Sequence, residues 1–198
     1  MYDVMKRNAK VVVPILVVQS VLYFLLNHFP VVASRTLPLT VVDEWTPFWP
    51  WTVWPYLLLV SGQVVLALRV RDRRIFRETL AAYFPAIAAA FLAFLVLPTR
   101  YVRPELPPGD SINAMAYRLL VMVDSPECCC PSAHIAGPAV IAWGAWRDGN
   151  WPGRCLPWIF PPLALTILTT KQHYAWDLLA GMLVAGASIA VARWRSKH

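Results

Sequence analysis

Apolar residues along this chain come in long unbroken runs, without the three-to-four-residue alternation of a surface helix or the two-residue alternation of a half-buried strand. Crossing a bilayer core takes about 20 mostly apolar residues in a helix. Six runs approach that length, at roughly Val11–Phe29, Trp51–Val70, Thr79–Leu97, Ala133–Trp146, Leu156–Thr169 and Ala175–Ala192. The fourth and fifth are shorter and broken by proline and glycine, so flanking residues are expected to extend their helices. The pattern predicts an all-α polytopic membrane protein, one domain over residues 1–198 with six transmembrane helices in a bundle. The first run could be read as a signal peptide, because Lys6, Arg7 and Lys10 precede it and small residues follow near Ala33. Its length and the five runs behind it favour an uncleaved first span.

Between the runs lie two informative polar segments. RTLPLTVVDEWTPFWPWTVWP carries Trp45, Trp49, Trp51 and Trp54 among prolines. Tryptophan prefers the headgroup layer and proline forbids a long regular helix, so an interfacial segment is predicted. Pro98–Pro131 is the longest stretch outside the runs. It opens irregularly and then reads INAMAYRLLVMV, with Ile112, Met115, Leu119 and Val123 at helical spacing, which predicts an interfacial amphipathic helix before the fourth span.

Only 15% of residues are charged, against about a quarter in a soluble domain, and the net charge is +7. Sorted by loop, thirteen of the eighteen basic residues fall at the N-terminus, the second-to-third and fourth-to-fifth connections and the C-terminus. Basic residues mark cytoplasmic loops. Both termini are therefore expected in the cytoplasm, and RDRRIFRE is expected to anchor the topology at an anionic surface and not to bind nucleic acid. Arg35, Arg100, Arg103, Arg118 and Lys171 remain on the opposite side. Four of these five lie in the segments around the fourth and sixth spans, and positive charge kept there calls for an anionic ligand.

The chemistry-bearing residues converge on that extracytoplasmic face. Arg100 and Arg103-Pro104 are followed by Pro131-Ser132-Ala133-His134 at the predicted start of the fourth span. Lys171, His173 and Asp177 stand at the start of the sixth. Four residues apart on a helix, His173 and Asp177 would share a face, letting a carboxylate hold one imidazole nitrogen and leave the other as base or nucleophile. Helix starts favour phosphate, and Ser132 adds a hydroxyl. Arginine forks onto phosphate oxygens. The CCC run, Cys128–Cys130, with His134 suggests zinc, but structural zinc sites use spaced ligands and adjacent cysteines point in different directions. No metal and no cofactor are expected. The three cysteines are read as packing residues, with a disulfide plus a free thiol, or a lipid-modified spot, as alternatives.

PSAH followed by HYAWD about forty residues on resembles the type-2 phosphatidic acid phosphatase superfamily, whose members carry Lys/Arg-Pro, P-S-x-H and S-R-x5-H-x3-D motifs. PFWPW, DSPECCCPSAH and TKQHYAWDLLAG are most similar to the branch that includes inositol phosphorylceramide synthase. The motif-bearing region runs over about residues 98–181. The resemblance implies a phosphatase or phospho-headgroup transferase acting on a lipid phosphate or phosphodiester, with water or a lipid alcohol as acceptor. It implies His173 as nucleophile, Asp177 as its orienting group, His134 as proton donor, and Ser132 and Arg103 as phosphate contacts. The chain departs from the pattern at Val96, where the first motif has lysine, and at Thr166-Ile167, where the third has Ser-Arg. Arg100 and Lys171 are the candidate replacements. A bacterial cytoplasmic membrane is the expected setting. The rival reading is a lipid-binding or transport protein with an inactive site.

Overall fold

A computed structural model describes residues 1–198. Eight α-helices follow one another: α1 (Tyr2–His28), α2 (Val41–Trp45), α3 (Val53–Arg69), α4 (Arg73–Val96), α5 (Ile112–Val123), α6 (Ala133–Asp148), α7 (Leu156–Thr169) and α8 (Ala175–Arg195). Two short strands, β1 (Arg35–Thr36) and β2 (Thr99–Arg100), pair in parallel, and 3-10 turns at Pro50–Thr52 and Gly153–Cys155 lead into α3 and α7.

The long helices pack side by side in one bundle, and side-chain contacts identify its two ends. At the first end, Arg7 donates to the Val70 and Arg71 carbonyls, Arg69 to the Trp151 carbonyl, and the Arg71 and Asp72 amides to the Asp148 carboxylate. Glu78 is paired there with Arg74 and Arg147. The thirteen basic residues grouped by loop thus gather at one end of the molecule. At the other, Asn27 holds Ser125 and Glu127, Trp54 donates to Asn113, and the Trp49 amide meets the Thr169 carbonyl.

Four segments are long and apolar enough to cross a membrane: Tyr2–His28, Pro50–Arg69, Arg73–Val96 and Ala175–Arg195. This is the architecture of an integral membrane protein, with four spans by length and not the six expected. α6 and α7 form where the sequence places them but do not recruit the flanking residues. Glycine at 149, in the left-handed region at φ 70°, ends α6, and the Gly153–Cys155 turn sets the start of α7. At about 1.5 Å per residue they rise only about 24 and 21 Å, against a hydrocarbon core of about 30 Å.

Burial explains how α6 tolerates this length. Ten of its sixteen residues are buried, so protein encloses most of its surface, leaving a narrow stripe at Ala139, Trp143 and Trp146, and lipid does not dictate its length. The main core joins Val12 of α1, Ala67 of α3, Ala82, Tyr83 and Ala86 of α4, Val140 and Ile141 of α6, and Ala185 and Ala192 of α8. α5 matches its predicted span. Ala114 and Tyr117 face inward, while Ile112, Met115, Leu119 and Val123 are exposed, so its apolar stripe turns outward, as suits a helix lying against lipid. The tryptophan segment holds one short helix, α2, capped by a reciprocal Thr40–Asp43 box, and Trp45, Trp49, Trp51 and Trp54 are exposed around it.

Candidate active site

The start of α6 and the turn before α8 are pressed together by a backbone contact. The Ser132 amide donates to the Asp177 carbonyl at 3.2 Å, and glycine at 181 is what permits it. A Cβ at 181 would sit 2.8 Å from the Ser132 carbonyl oxygen and against Ile135. No side chain caps α6, so its first amides face the junction without a competing acceptor. The Ser132 hydroxyl, fully buried, lies instead 3.3 Å from His173 Nε2.

Around that junction four expected residues meet. His173 Nδ1 is 3.1 Å from Asp177 Oδ2, and His173 Nε2 is 3.2 Å from His134 Nδ1. The two imidazoles stand nearly edge to face, at 71°. In the neutral His173 ring the carboxylate fixes the tautomer, with Nδ1 carrying the proton and Nε2 the lone pair that faces His134 and Ser132. His173 and Asp177 pair by a different route from the one their spacing suggests. His173 sits in the turn before α8, and Asp177, third residue of the helix, reaches back to it while also accepting from the Tyr174 amide at 2.9 Å. The pairing is a helix cap and not two residues on one helical face. Asp177 is fully buried, and its Oδ1 has no hydrogen-bond partner.

The cationic residues divide. Arg103 approaches the junction: its side chain is nearly buried, donates to the Asp124 and Ser125 carbonyls and, at 2.5 Å, to Gln172 Oε1, and lies 3.6 Å from the Asp124 carboxylate. Its Nε is buried and unpartnered. Lys171 is directed elsewhere. Its ammonium donates to the Asp43 carbonyl at 2.8 Å, and its partial burial there lowers its pKa. Arg100 is an exposed residue of β2, paired opposite Thr36 of β1, and its carbonyl accepts from the Tyr174 hydroxyl. Lys171 therefore does not stand where it was expected to replace a missing cation. Lys171 serves to hold the tryptophan segment, and Asp43 completes that link by accepting from the Ala175 amide at 2.8 Å.

Sequence reasoning missed Tyr56, Tyr23, Asp124 and Gln172. Tyr56 places its hydroxyl 3.2 Å from His134 Nδ1, and Tyr23 donates to Asp124 at 2.8 Å. Tyr23 and Tyr56 come from α1 and α3, far from either motif, while Asp124 and Gln172 lie within the motif strings, in the α5–α6 loop and the turn before α8, without a signal of their own. Tyr23, Tyr56 and Asp124 line a cavity of about 550 Å³ that runs between α1 and α3 to His134. Its size suits a ligand-binding cleft, with apolar walls and a few convergent polar groups.

The cysteines are reduced. Cys128 and Cys129 are buried and Cys130 partly so. Cys129 nonetheless brings its sulfur within 4.8 Å of donor atoms from His173 and Asp177, a mixed sulfur, nitrogen and oxygen set that the sequence did not suggest. Any ion there would compete with the His173–Asp177 hydrogen bond. No protein-family model, curated protein or solved structure matches this chain, so its function has to be read from the side chains themselves.

Proposed function

We propose that the protein is an integral membrane enzyme that moves a phosphoryl group from a lipid phosphate or phosphodiester through a phosphohistidine on His173. The observation that carries this reading is the approach of His134 Nδ1 to His173 Nε2 at 3.2 Å, with Asp177 on the far nitrogen of His173. A nucleophile, its orienting carboxylate and a proton carrier share one junction beside an uncapped helix start.

In the first half-reaction the Nε2 lone pair attacks phosphorus and the bond to the leaving oxygen breaks. His134, protonated, delivers its proton to that oxygen. In the second, water or a lipid alcohol gives its proton to His134 and attacks phosphorus, and the phosphorus–nitrogen bond returns its electrons to His173. Asp177 accepts from His173 Nδ1–H throughout and stabilises the positive ring. Ser132 and the first amides of α6 can donate to phosphate oxygens, and Arg103 supplies the nearest guanidinium. The rings must part to admit the phosphorus and its bridging oxygen, and Tyr56 is the partner that would steady His134 as they do. The cavity ending at His134 gives a lipid an approach from within the bilayer.

This chemistry fits the type-2 phosphatidic acid phosphatase resemblance, and the same reading has α6 and α7 as two further spans. Both termini would then lie in the cytoplasm and the junction on the extracytoplasmic side. A rival reading, a lipid-binding or transport protein with an inactive site, draws on one observation: Arg103 is already engaged by Asp124 and Gln172, while Lys171 is committed to the Asp43 carbonyl. Purified protein given phosphorus-labelled lipid phosphates and phosphodiesters separates the two. We expect turnover and an acid-labile phosphoprotein, both lost in His173→Ala. Equal inactivity of wild type and His173→Ala on every donor supports the rival.

A further inference from the structure

α1 leans on α3, through Asn8, and stands apart from α4 along much of its length. Asn8, fully buried, donates to the Ala67, Leu68 and Val70 carbonyls. Two cavities follow one another in the resulting cleft. The first, of about 310 Å³, is lined by Arg7, Arg73 and Arg77 with Val11, Phe76 and Leu80. The second, of about 420 Å³, begins one turn further along both helices at Pro14 and Tyr83 and ends at Leu22 and Phe91, with almost wholly apolar walls.

We propose that this cleft binds one anionic glycerophospholipid, with its headgroup phosphate on Arg73 and Arg77 and an acyl chain laid along the apolar cavity. Three observations select that occupant. The mouth is lined by three guanidiniums and no carboxylate. The acids beside Arg73 and Arg77 in the chain are committed elsewhere: Asp72 caps α4, accepting from the Arg74 and Ile75 amides, and Glu78 is paired with Arg74 and Arg147. Arg7 is already spent on the Val70 and Arg71 carbonyls, whereas Arg73 and Arg77 are exposed and have no acidic partner. The dimensions also agree. Arg7 to Leu22 covers about 22 Å of helix rise, close to one leaflet with its headgroup layer. The arginines lie at the basic end of the bundle, where an anionic leaflet is expected. The cleft is separate from the His134 cavity and stands whether or not the protein is an enzyme.

Binding can be read by native mass spectrometry and by thermal unfolding of the full chain in neutral detergent. The probes are a two-chain phosphatidylglycerol, a phosphatidylcholine with the same chains, and inorganic phosphate. We expect phosphatidylglycerol to be retained and to raise the unfolding temperature, with phosphatidylcholine weaker and inorganic phosphate without effect. Replacing both Arg73 and Arg77 by Gln should weaken phosphatidylglycerol about 30-fold, at about one membrane-surface charge each. Ala88→Trp, an exposed position in the apolar cavity, should weaken it with the charges intact. Equal retention of both lipids, equal protection by inorganic phosphate, or undiminished preference in either variant overturns the proposal. If the double variant fails to fold without lipid, Ala88→Trp decides alone.

Discussion

Asp177 spends one carboxylate oxygen on two partners, the His173 ring and the Tyr174 amide, and leaves the other oxygen buried without any. An amide in its place keeps the shape and the bond to Tyr174 but no longer stabilises a charged His173 ring. Asp177→Asn should therefore lower phosphotransfer roughly 10²–10⁴-fold while the unfolding temperature changes little, which paired kinetic and thermal assays would check. Ser132, His134, His173 and Asp177 could be picked out from sequence because each sits in a short local pattern. Tyr56 could not, since it reaches the junction from another helix, and Asp124 and Gln172 went unread because their roles depend on Arg103 and Tyr23 brought in from elsewhere in the fold. Lys171 shows the opposite error: two positions from His173 in sequence, its ammonium ends on Asp43. A second prediction concerns the thiols. Burial pushes Cys128 and Cys130 up to about 12, helped by the nearby Asp124 and Asp177 carboxylates respectively. Thiolate is the reactive form. Maleimide should barely label either cysteine at neutral pH, with the rate climbing about tenfold per pH unit, as a pH series followed by mass spectrometry would show.

At the scale of elements, six helices were visible as apolar runs, four of them long enough to cross a membrane, because lipid removes the need for alternation. Two lengths were misjudged. α6 and α7 looked incomplete, yet they stop where glycine and proline stop them. α6 meets protein over most of its surface, so a membrane-length rule written for lipid-exposed helices does not govern it. What could not be read was the crossing of α8 on the start of α6. It depends on the missing Cβ at 181, and a glycine inside an apolar run gives no sign of its neighbour. Gly181→Val should part these helices, because the Ser132 carbonyl is backbone and cannot swing aside. We expect a loss of about 1–3 kcal/mol in stability and a larger fractional loss of activity, measured by unfolding in detergent alongside turnover.

Over the whole molecule, charge sorting by loop put thirteen basic residues together, and the bundle gathers them at one end. The proposed orientation follows from that asymmetry and has a direct test. In a Cys155→Ser background, Gly109→Cys, in an exposed loop at the opposite end from those residues, should react with a membrane-impermeant thiol reagent in intact cells. Labelling only after permeabilisation would reverse the assignment of sides. The link through Asp43 has a consequence at the same scale. One oxygen of its carboxylate secures the Thr40 cap and the other the Ala175 amide, while its carbonyl takes Lys171. The tryptophan-lined skirt of the protein and the turn bearing His173 are therefore mechanically one piece. Asp43→Ala should speed hydrogen exchange at residues 40 and 175 together, and whatever tugs on Trp45 at the water–lipid boundary would be felt by an imidazole deep inside.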